Sequence, residues 1–215
     1  MIDLHTHTVL SDGALLPAEL VRRAEINGYK AIALTDHVDS GNMEIVLDQL
    51  IKVSRALNGQ GEIKVLPGVE ITHMPPPLIP KLAEQSRKLG AKIVVVHGES
   101  PVEPVAPKTN WFGLQSDIDI LAHPGMITEE EVQIAKEKGI YLEISARRGH
   151  CLTNGRLVSL ARKYGAKLVI NTDAHQSREL FTQDMIRKVG LGAGLVEEEL
   201  KKVFQNSEEL VNRHF

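Results

Sequence analysis

The sequence predicts an α/β fold, in which a parallel β-sheet is covered by helices and is long enough to close into a small barrel. Three observations predict this class. Helical runs end repeatedly at a glycine before a strand, the strands are almost wholly apolar, and about seven βα units recur at a spacing of ~30 residues. The 215 residues are sufficient for one core of ordinary size. We therefore expect a single domain over residues 1–215.

Four segments show the helix-glycine-strand pattern directly. In each of them an amphipathic run ends at a glycine, and a short apolar run follows. Glycine suits the left-handed backbone position that closes a helix, and a continuous apolar run suits a strand buried on both faces. The segments are Gly28 before AIALTDH, Gly90 before IVVVHG, Gly139 before IYLEIS and Gly165 before LVINTDAH.

The remaining elements follow from more local signals. Further strands are predicted near Ile2 to His7, Ile63 to Ile71 and Ile118 to Ala122. Pro17 occupies a position that is tolerated in the first turn of a helix, and Thr128 to Glu131 forms a capping-box sequence. The proline-rich stretches 75–80 and 101–107 each follow a strand and are predicted to be loops.

Composition excludes several classes of protein. The formal net charge of -3 provides no broad positive field, so a long nucleic acid is not expected as a partner. The sequence shows no signal peptide, no apolar stretch approaching the ~18 residues of a membrane span, and a single cysteine, Cys151. We expect a cytoplasmic protein without a membrane partner.

Histidines and carboxylates occupy the ends of the predicted strands. The carboxyl ends of the strands form the ligand-binding face of a βα barrel. The chain contains nine histidines, and six of them fall at these ends. In strand order the residues are His5 and His7, His37, Glu70, His97, His123, Glu143, and Asp173 with His175.

This set of residues indicates a metal centre. His5 and His7 leave the same face of a strand and can chelate one ion. Imidazole and carboxylate ligands without thiolates suit Zn²⁺, Mn²⁺ or Fe²⁺. A catalytic zinc uses about three protein ligands, so this set implies two or three divalent ions, with Glu70 able to bridge two of them. Two ions about 4 Å apart can activate water and stabilise a leaving oxygen, which favours hydrolysis at phosphorus.

The motifs DLHTHTVLSDG, ALTDH, GVEI, the histidine of VVVHG, LAHPG and NTDAH follow one another from Asp3 to His175. With them the chain resembles the PHP (polymerase and histidinol phosphatase) domain family. The resemblance implies a distorted seven-stranded (β/α)7 TIM-like barrel with a trinuclear metal site at the carboxyl ends of the strands. It also implies nine ligands, with Glu70 bridging: His5, His7, Asp12, His37, Glu70, His97, His123, Asp173 and His175.

The chain resembles the short, free-standing phosphatase branch of this family. Such relatives act on histidinol phosphate and nucleotide phosphates, so the expected substrate is a small phosphomonoester. The expected reaction is attack of metal-activated water on phosphorus, with Asp173, His175 or His37 handling the proton. Four basic residues after the strands are candidates for holding phosphate, and the arginine fork matches two phosphate oxygens best. They are Lys108, Arg147, Arg148 and Arg178.

Other polar residues have less specific roles. Glu143 matches no metal position in the family and is expected to orient a ligand or to support the loop. His73 is expected to lie in a loop, from which it could touch substrate. His150 is expected to pack rather than to activate its neighbour Cys151, because adjacent residues seldom face each other.

Three alternative functions remain open. The first is a phosphodiesterase or short-oligonucleotide nuclease. The second is an amidohydrolase-like enzyme that cleaves C–N or lactone bonds. Its relatives also begin with H-x-H but usually bridge two ions with a carboxylated lysine, whereas the bridging candidate here is Glu70. The third is a non-catalytic metal-binding module, which the complete ligand set disfavours.

Overall fold

The computed structural model describes residues 1–215 as a nearly closed barrel of parallel strands with helices outside it. Its strands are β1 (Ile2–Asp3), β2 (Ala31–Leu34), β3 (His37–Val38), β4 (Lys64–Ile71), β5 (Ile93–His97), β6 (Ile120–Ala122), β7 (Tyr141–Ser145) and β8 (Leu168–Asn171). Neighbours follow the order β1-β2-β4-β5-β6-β7-β8, and β3 also pairs with β4. Since β2 and β3 are two parts of one strand interrupted at Thr35 and Asp36, the barrel has seven strand positions, which confirms the predicted class.

Helices connect successive strands and cover the outside of the sheet. They are α1 (Pro17–Ile26), α2 (Met43–Leu57), α3 (Ile79–Leu89), α4 (Thr109–Leu114), α5 (Glu129–Lys138), α6 (Asn154–Tyr164), α7 (Gln183–Gly192) and α8 (Glu197–Asn212). Short 3-10 helices occupy Pro76–Leu78, His150–Thr153 and Ser177–Glu179. None of the helices is both long and apolar enough to span a membrane.

The core has two layers because each strand is buried on both faces. In β5, Val94 and Val96 belong to the larger cluster between sheet and helices. Ile93 and Val95 point the other way and belong to a smaller cluster inside the barrel, which Leu210 and Val211 of α8 join. This burial explains the almost wholly apolar strands of the sequence.

Side chains close the barrel between β1 and β8. The segments that follow these two strands share one isolated bridge, Thr6 to Ala174, in place of a regular ladder. The backbone N–H of Leu4 donates to Oδ1 of Asn171 at 2.9 Å. The hydroxyl of Thr172 donates to the buried carboxylate of Asp3. These contacts make the closure irregular and account for the distortion of the barrel.

Most local predictions hold, but the proline-rich stretch 75–80 is not a loop throughout, since Pro76–Leu78 forms a 3-10 helix and α3 begins at Ile79. α1 begins at Pro17, and Oγ1 of Thr128 accepts from the N–H of Glu131 in a complete capping box that starts α5. All four predicted glycines have positive φ. The regular part of the first strand is shorter than predicted, because the chain leaves the ladder after Asp3. The other strands begin and end within a few residues of their predicted bounds.

Candidate metal centre

The carboxyl ends of the strands bring all nine predicted ligands into one cluster. Ligand atoms within 4.8 Å of one another define four overlapping groups in this cluster. They are His7, Asp12, His37 and His175; His5, His123 and Asp173; His5, His7 and Glu70; and Glu70, His97 and His123. Most of these side chains are buried, whereas His37 is 24% exposed and Asp12 is 57% exposed. The cluster therefore extends from the barrel interior to a rim open to solvent.

Glu70 lies at the centre of the cluster. Its Oε1 is 3.3 Å from Nε2 of His5 and 3.5 Å from Nε2 of His123. Its Oε2 is 3.6 Å from Nε2 of His7 and 2.7 Å from Nδ1 of His37. The two carboxylate oxygens thus face different histidines, which is the arrangement needed to bridge two ions.

The cluster fits divalent metal ions because several of its buried ligand atoms lie close together without the geometry of hydrogen bonds. These atoms include Nε2 of His5, Nε2 of His7, both oxygens of Glu70 and Oδ1 of Asp173. Unpaired buried polar atoms are costly and rare in native proteins. With metal–ligand distances of about 2.0–2.2 Å, the ligands of a tetrahedral site stand about 3.3–3.5 Å apart. Nε2 of His7 lies 3.2 Å from Oδ1 of Asp173. The donor set and its spacing are those of a metal site.

Burial and neighbouring charges set the ionisation of the ligands. Burial opposes the charge on Glu70, but the surrounding histidines hold the pKa of its carboxyl well below its usual range. Burial opposes the charge on His37, but attraction to Glu70 outweighs it and raises the pKa of His37 to about 9. Burial and repulsion from His37 lower the pKa of His7 to about 3. Glu70 and His7 are therefore already in their metal-binding forms at neutral pH, while His37 must release a proton on binding.

Two of the ligands have backbone conformations that side chains rarely adopt. Asp173 has a φ of 53° and His123 a φ of 26°. Such positions are costly for residues other than glycine and concentrate at functional sites. The carbonyl of Asp173 accepts from Nη1 of Arg147 at 2.9 Å, which supports this turn.

The Ser11-Asp12-Gly13 turn folds back onto the cluster. Oδ1 of Asp36 accepts from the N–H of Thr8 at 2.8 Å and from Oγ of Ser11 at 2.7 Å. A Cβ at Gly13 would lie 2.4 Å from the carbonyl oxygen of His7, so only glycine permits this approach. As a result, Oδ1 of Asp12 lies 3.1 Å from Nε2 of His175.

The sequence profile of the PHP domain family matches residues 3–101. This match includes the first four strand positions and six of the nine predicted ligands. The three ligands that it leaves out, His123, Asp173 and His175, complete the same cluster. The chain belongs to the PHP domain family. An uncharacterized protein of Methanocaldococcus jannaschii is 49% identical over 93% of this chain and 92% of its own length. A probable phosphatase of Thermoanaerobacter sp. is 26% identical over 92% of this chain and 88% of its own.

Solved structures share the barrel fold of this chain. A histidinol phosphate phosphatase from Lactococcus lactis, complexed with zinc, L-histidinol and phosphate, has a TM-score of 0.63 and 16% identity. The match covers 91% of this chain and 94% of that one. A chain in a structure of archaeal ribonuclease P with mature tRNA has a TM-score of 0.74 and 17% identity, covering 99% and 90%. At these identities the likeness shows the fold.

Arg147 is the basic candidate that contacts the metal centre of this PHP domain. Its Nη1 is 2.7 Å from Nδ1 of His175, and its Nε is 3.7 Å from Oδ2 of Asp173. The side chain is 27% exposed, so its guanidinium group is also accessible from the rim. Arg147 therefore has both the position and the accessibility that binding an anion beside the ligands requires.

The other basic candidates lie farther from the ligands. Arg148 and Arg178 are exposed and make no ion pair with the cluster. Lys108 lines a separate cavity of about 430 Å³ together with Trp111 and the acidic residues Glu99, Glu130 and Glu131. Lys108 thus lies in a cavity that the predicted metal ligands do not line.

Glu143 has the position expected of a residue that orients a ligand. Its Oε2 is 2.8 Å from Nδ1 of His5 and accepts from Nδ2 of Asn171 at 2.9 Å. Because Nδ1 of His5 is engaged in this way, Nε2 is directed toward Glu70.

Sequence reasoning missed two residues of the site. His150 is buried, and it packs against the cluster itself, because its ring centroid is 4.2 Å from that of His123 and its Nδ1 is 2.7 Å from Oγ of Ser100. Glu103 lies between His150 and His97, with Oε1 3.3 Å from Nε2 of His150 and Oε2 3.0 Å from Nε2 of His97. Contacts with His150 and with His97 hold the pKa of Glu103 well below its usual range. Glu103 is a loop carboxylate outside any motif, so a single sequence does not mark it as a site residue. His150 can be told from an ordinary buried histidine only by these contacts, which the sequence does not show.

Proposed function

We propose that this PHP domain protein is a metal-dependent phosphoesterase that hydrolyses a small phosphomonoester. The observation that carries the proposal is the buried, unpaired set of histidine and carboxylate atoms around Glu70, beside the accessible guanidinium of Arg147. The phosphatase names of relatives support the reaction class, and the zinc and phosphate of a structural neighbour support its chemistry.

We propose two or three ions, of zinc, manganese or iron, held by the nine ligands of the cluster. When bound, such ions supply Lewis-acid activation of water and neutralise the charge that develops on the phosphoryl oxygens. The imidazole and carboxylate ligands of the cluster suit zinc, manganese and iron alike.

The residues of this chain then have separate tasks. The substrate enters at the rim, where Asp12, His37 and Arg147 are partly exposed. Arg147 binds the phosphoryl group through charge-assisted hydrogen bonds. Asp173 accepts the proton of the attacking water through Oδ2, because Oδ1 is one of the unpaired atoms assigned to the ions. The same proton then passes from Asp173 to the leaving oxygen at the rim, where His37 and His175 flank Asp12 and position the ester.

A panel of phosphate esters tests this proposal. We expect the zinc- or manganese-loaded protein to hydrolyse monoesters such as histidinol phosphate, nucleoside monophosphates or p-nitrophenyl phosphate. Turnover of dinucleotides or bis-p-nitrophenyl phosphate alone favours the phosphodiesterase. Turnover of amides or lactones alone favours the amidohydrolase-like alternative. No turnover in the whole panel, with metal binding unaffected by His7→Ala, contradicts the proposal.

Substitution of arginine tests how phosphate is held. Arg147→Ala is expected to raise KM for a monoester about tenfold or more, because a charge-assisted hydrogen bond contributes about 1.5–3 kcal/mol. Arg148→Ala and Arg178→Ala are expected to have smaller effects. Arg22→Ala on α1, which pairs only with Glu25, is the control. An unchanged KM in Arg147→Ala removes this residue from the phosphate site.

A further inference from the structure

A second group of potential ligands lies at the outer edge of the metal centre. His73 follows β4, His97 ends β5, and Glu103 lies in the loop after β5. Oε2 of Glu103 is 3.0 Å from Nε2 of His97 and 3.3 Å from Nε2 of His73. The ligand atoms of these three side chains all lie within 4.8 Å of one another. We call this group the outer triad.

The outer triad has the chemistry and spacing of a metal site. Two imidazoles and one carboxylate form a donor set typical of catalytic zinc, and the ligand atoms of tetrahedral zinc stand about 3.3–3.5 Å apart. The Glu103 carboxylate is also held from the other side. Its Oε1 is 3.3 Å from Nε2 of His150, and Nδ1 of that histidine is 2.7 Å from Oγ of the buried Ser100. This contact leaves Oε2 directed toward the other two members.

His97 belongs to both the outer triad and the buried group with Glu70 and His123. Its Nδ1 faces the carbonyl oxygen of Gly98 at 3.1 Å, so Nε2 is the nitrogen that remains for a metal ion. One imidazole nitrogen has one lone pair. An ion bound by His97 is therefore either in the outer triad or in the buried group.

The two positions differ sharply in exposure. In the outer triad the side chains of His73 and Glu103 are 43% and 34% exposed. In the buried group the side chains of His123 and Glu70 are 1% and 0% exposed. An ion from solvent thus reaches the outer ligands first.

We propose that His73, His97 and Glu103 form an outer metal position, through which a divalent ion enters and leaves the buried part of the centre. Inward movement keeps His97 as a ligand and replaces the two exposed ligands by Glu70 and His123. No proton or electron needs to be transferred in this exchange. The inference rests on the metal centre of the proposed function but is independent of its hydrolytic activity.

Release of zinc from the fully loaded protein tests the exchange route. Zinc-loaded protein is mixed with excess 4-(2-pyridylazo)resorcinol, and the absorbance of the zinc complex is followed in time. Loss of one ligand from an intermediate position raises the barrier to passage in both directions. Glu103→Gln and His73→Gln are each expected to slow one phase of release about tenfold, within the range of effects seen for residues that support metal sites. The number of ions bound at equilibrium is expected to stay the same.

A second carboxylate of the same loop provides the matched control. Oε1 of Glu99 accepts from the N–H of Asn110 at 3.0 Å, a contact that glutamine retains. Glu99→Gln is therefore expected to release zinc at the wild-type rate. Unchanged release in both triad variants overturns the proposal. Faster release also overturns the proposal, because it would mean that Glu103 hinders the passage of the ion. A lower zinc content at equilibrium overturns it as well, because it would mean that these residues are permanent ligands. If the wild-type protein binds no zinc, the metal centre itself is wrong. Failure of the metal centre is therefore distinguishable from failure of the exchange route.

A variant that weakens the buried group shows the outer position directly. His123→Asn removes one buried ligand, and asparagine tolerates the φ of 26° at this position better than most residues. In zinc-soaked crystals of this variant, we expect an anomalous-scattering peak between His73, His97 and Glu103. Zinc bound elsewhere in the cluster with no peak at the outer triad overturns the proposal.

Discussion

At the scale of single residues, Glu143 determines which nitrogen His5 offers to a metal ion. Its Oε2 is 2.8 Å from Nδ1 of His5. Asn171 links this carboxylate to the backbone of Leu4, because its Nδ2 donates to Glu143 and its Oδ1 accepts from the N–H of Leu4. A carboxylate behind a histidine ligand fixes the ring and its tautomer.

Glu143→Gln is expected to lower zinc affinity about 10–100-fold, because the variant loses the charge that orients His5. The measurement is competition with a chromophoric chelator at neutral pH. Glu137→Gln, an exposed carboxylate of α5, is expected to bind zinc like the wild type. Equal affinities in the two variants contradict the orienting role.

The sequence permits prediction of the side chains that gather in the cluster but not of every residue around them. His5 and Asp173 lie at the carboxyl ends of apolar strands, and in a barrel these ends lie on one face regardless of the conformation of the loops. The contact of His150 with Ser100 instead depends on the paths of two loops 50 residues apart in sequence. Periodicity carries no information about such paths, so Glu103 and His150 could be found only in the structure.

At the scale of elements, the turns after β5 and β6 lie against each other and position two ligands. The N–H of Gly98, next to His97, donates to the carbonyl of Ala122 at 3.0 Å. A Cβ at Gly98 would lie 2.2 Å from that same carbonyl oxygen and 2.8 Å from Cα of Pro124. The residues on either side, His97 and His123, are both predicted ligands. The spacing of these ligands therefore depends on the absence of a side chain between the turns.

Gly98→Ala is expected to lower the free energy of unfolding by about 1–3 kcal/mol, the usual cost of forcing extra atoms into a packed region. It is also expected to weaken zinc binding, because the two turns must separate. Gly192→Ala in α7, where nothing lies within 4 Å of the added Cβ, is the control for both measurements. Denaturant titration and zinc competition give the two readouts, and wild-type values in Gly98→Ala contradict the close packing.

Elements were easier to predict than their ends. The apolar runs of β5 and β8 identify strands because burial on both faces leaves no place for polar residues. The early end of β1 after Asp3 is not visible in the sequence. It follows from the irregular closure with β8, where side chains take over from backbone pairing.

At the scale of the whole molecule, the closure of the barrel depends on a buried carboxylate. Asp3 accepts hydrogen bonds from the N–H of His5 and from Thr172, which follows β8. Burial, only partly offset by these hydrogen bonds, raises the pKa of Asp3 to about 7. In an unfolded chain the same group titrates near pH 3.9.

The pH dependence of stability is expected to reflect this group. Between about pH 4 and pH 7 the unfolded chain releases the proton of Asp3 while the folded protein keeps it, so the unfolding free energy falls as pH rises. Asp3→Asn is expected to remove this fall, which amounts to a few kcal/mol. The measurement is chemical denaturation of metal-free wild type and variant at pH 5 and pH 8. An identical pH dependence in both contradicts the assignment.

The closure also determines when the metal centre can form during synthesis. Leu4 and Asn171, which meet in the completed barrel, are 167 residues apart in sequence. His5 and His7 therefore leave the ribosome long before Asp173 and His175, and their strand has no second neighbour until the rest of the chain follows. Contacts between residues so far apart in sequence slow folding, and until they form, apolar strands of the nascent chain stay exposed. We expect the N-terminal half to need protection from aggregation, and metal acquisition to be a late, post-translational event.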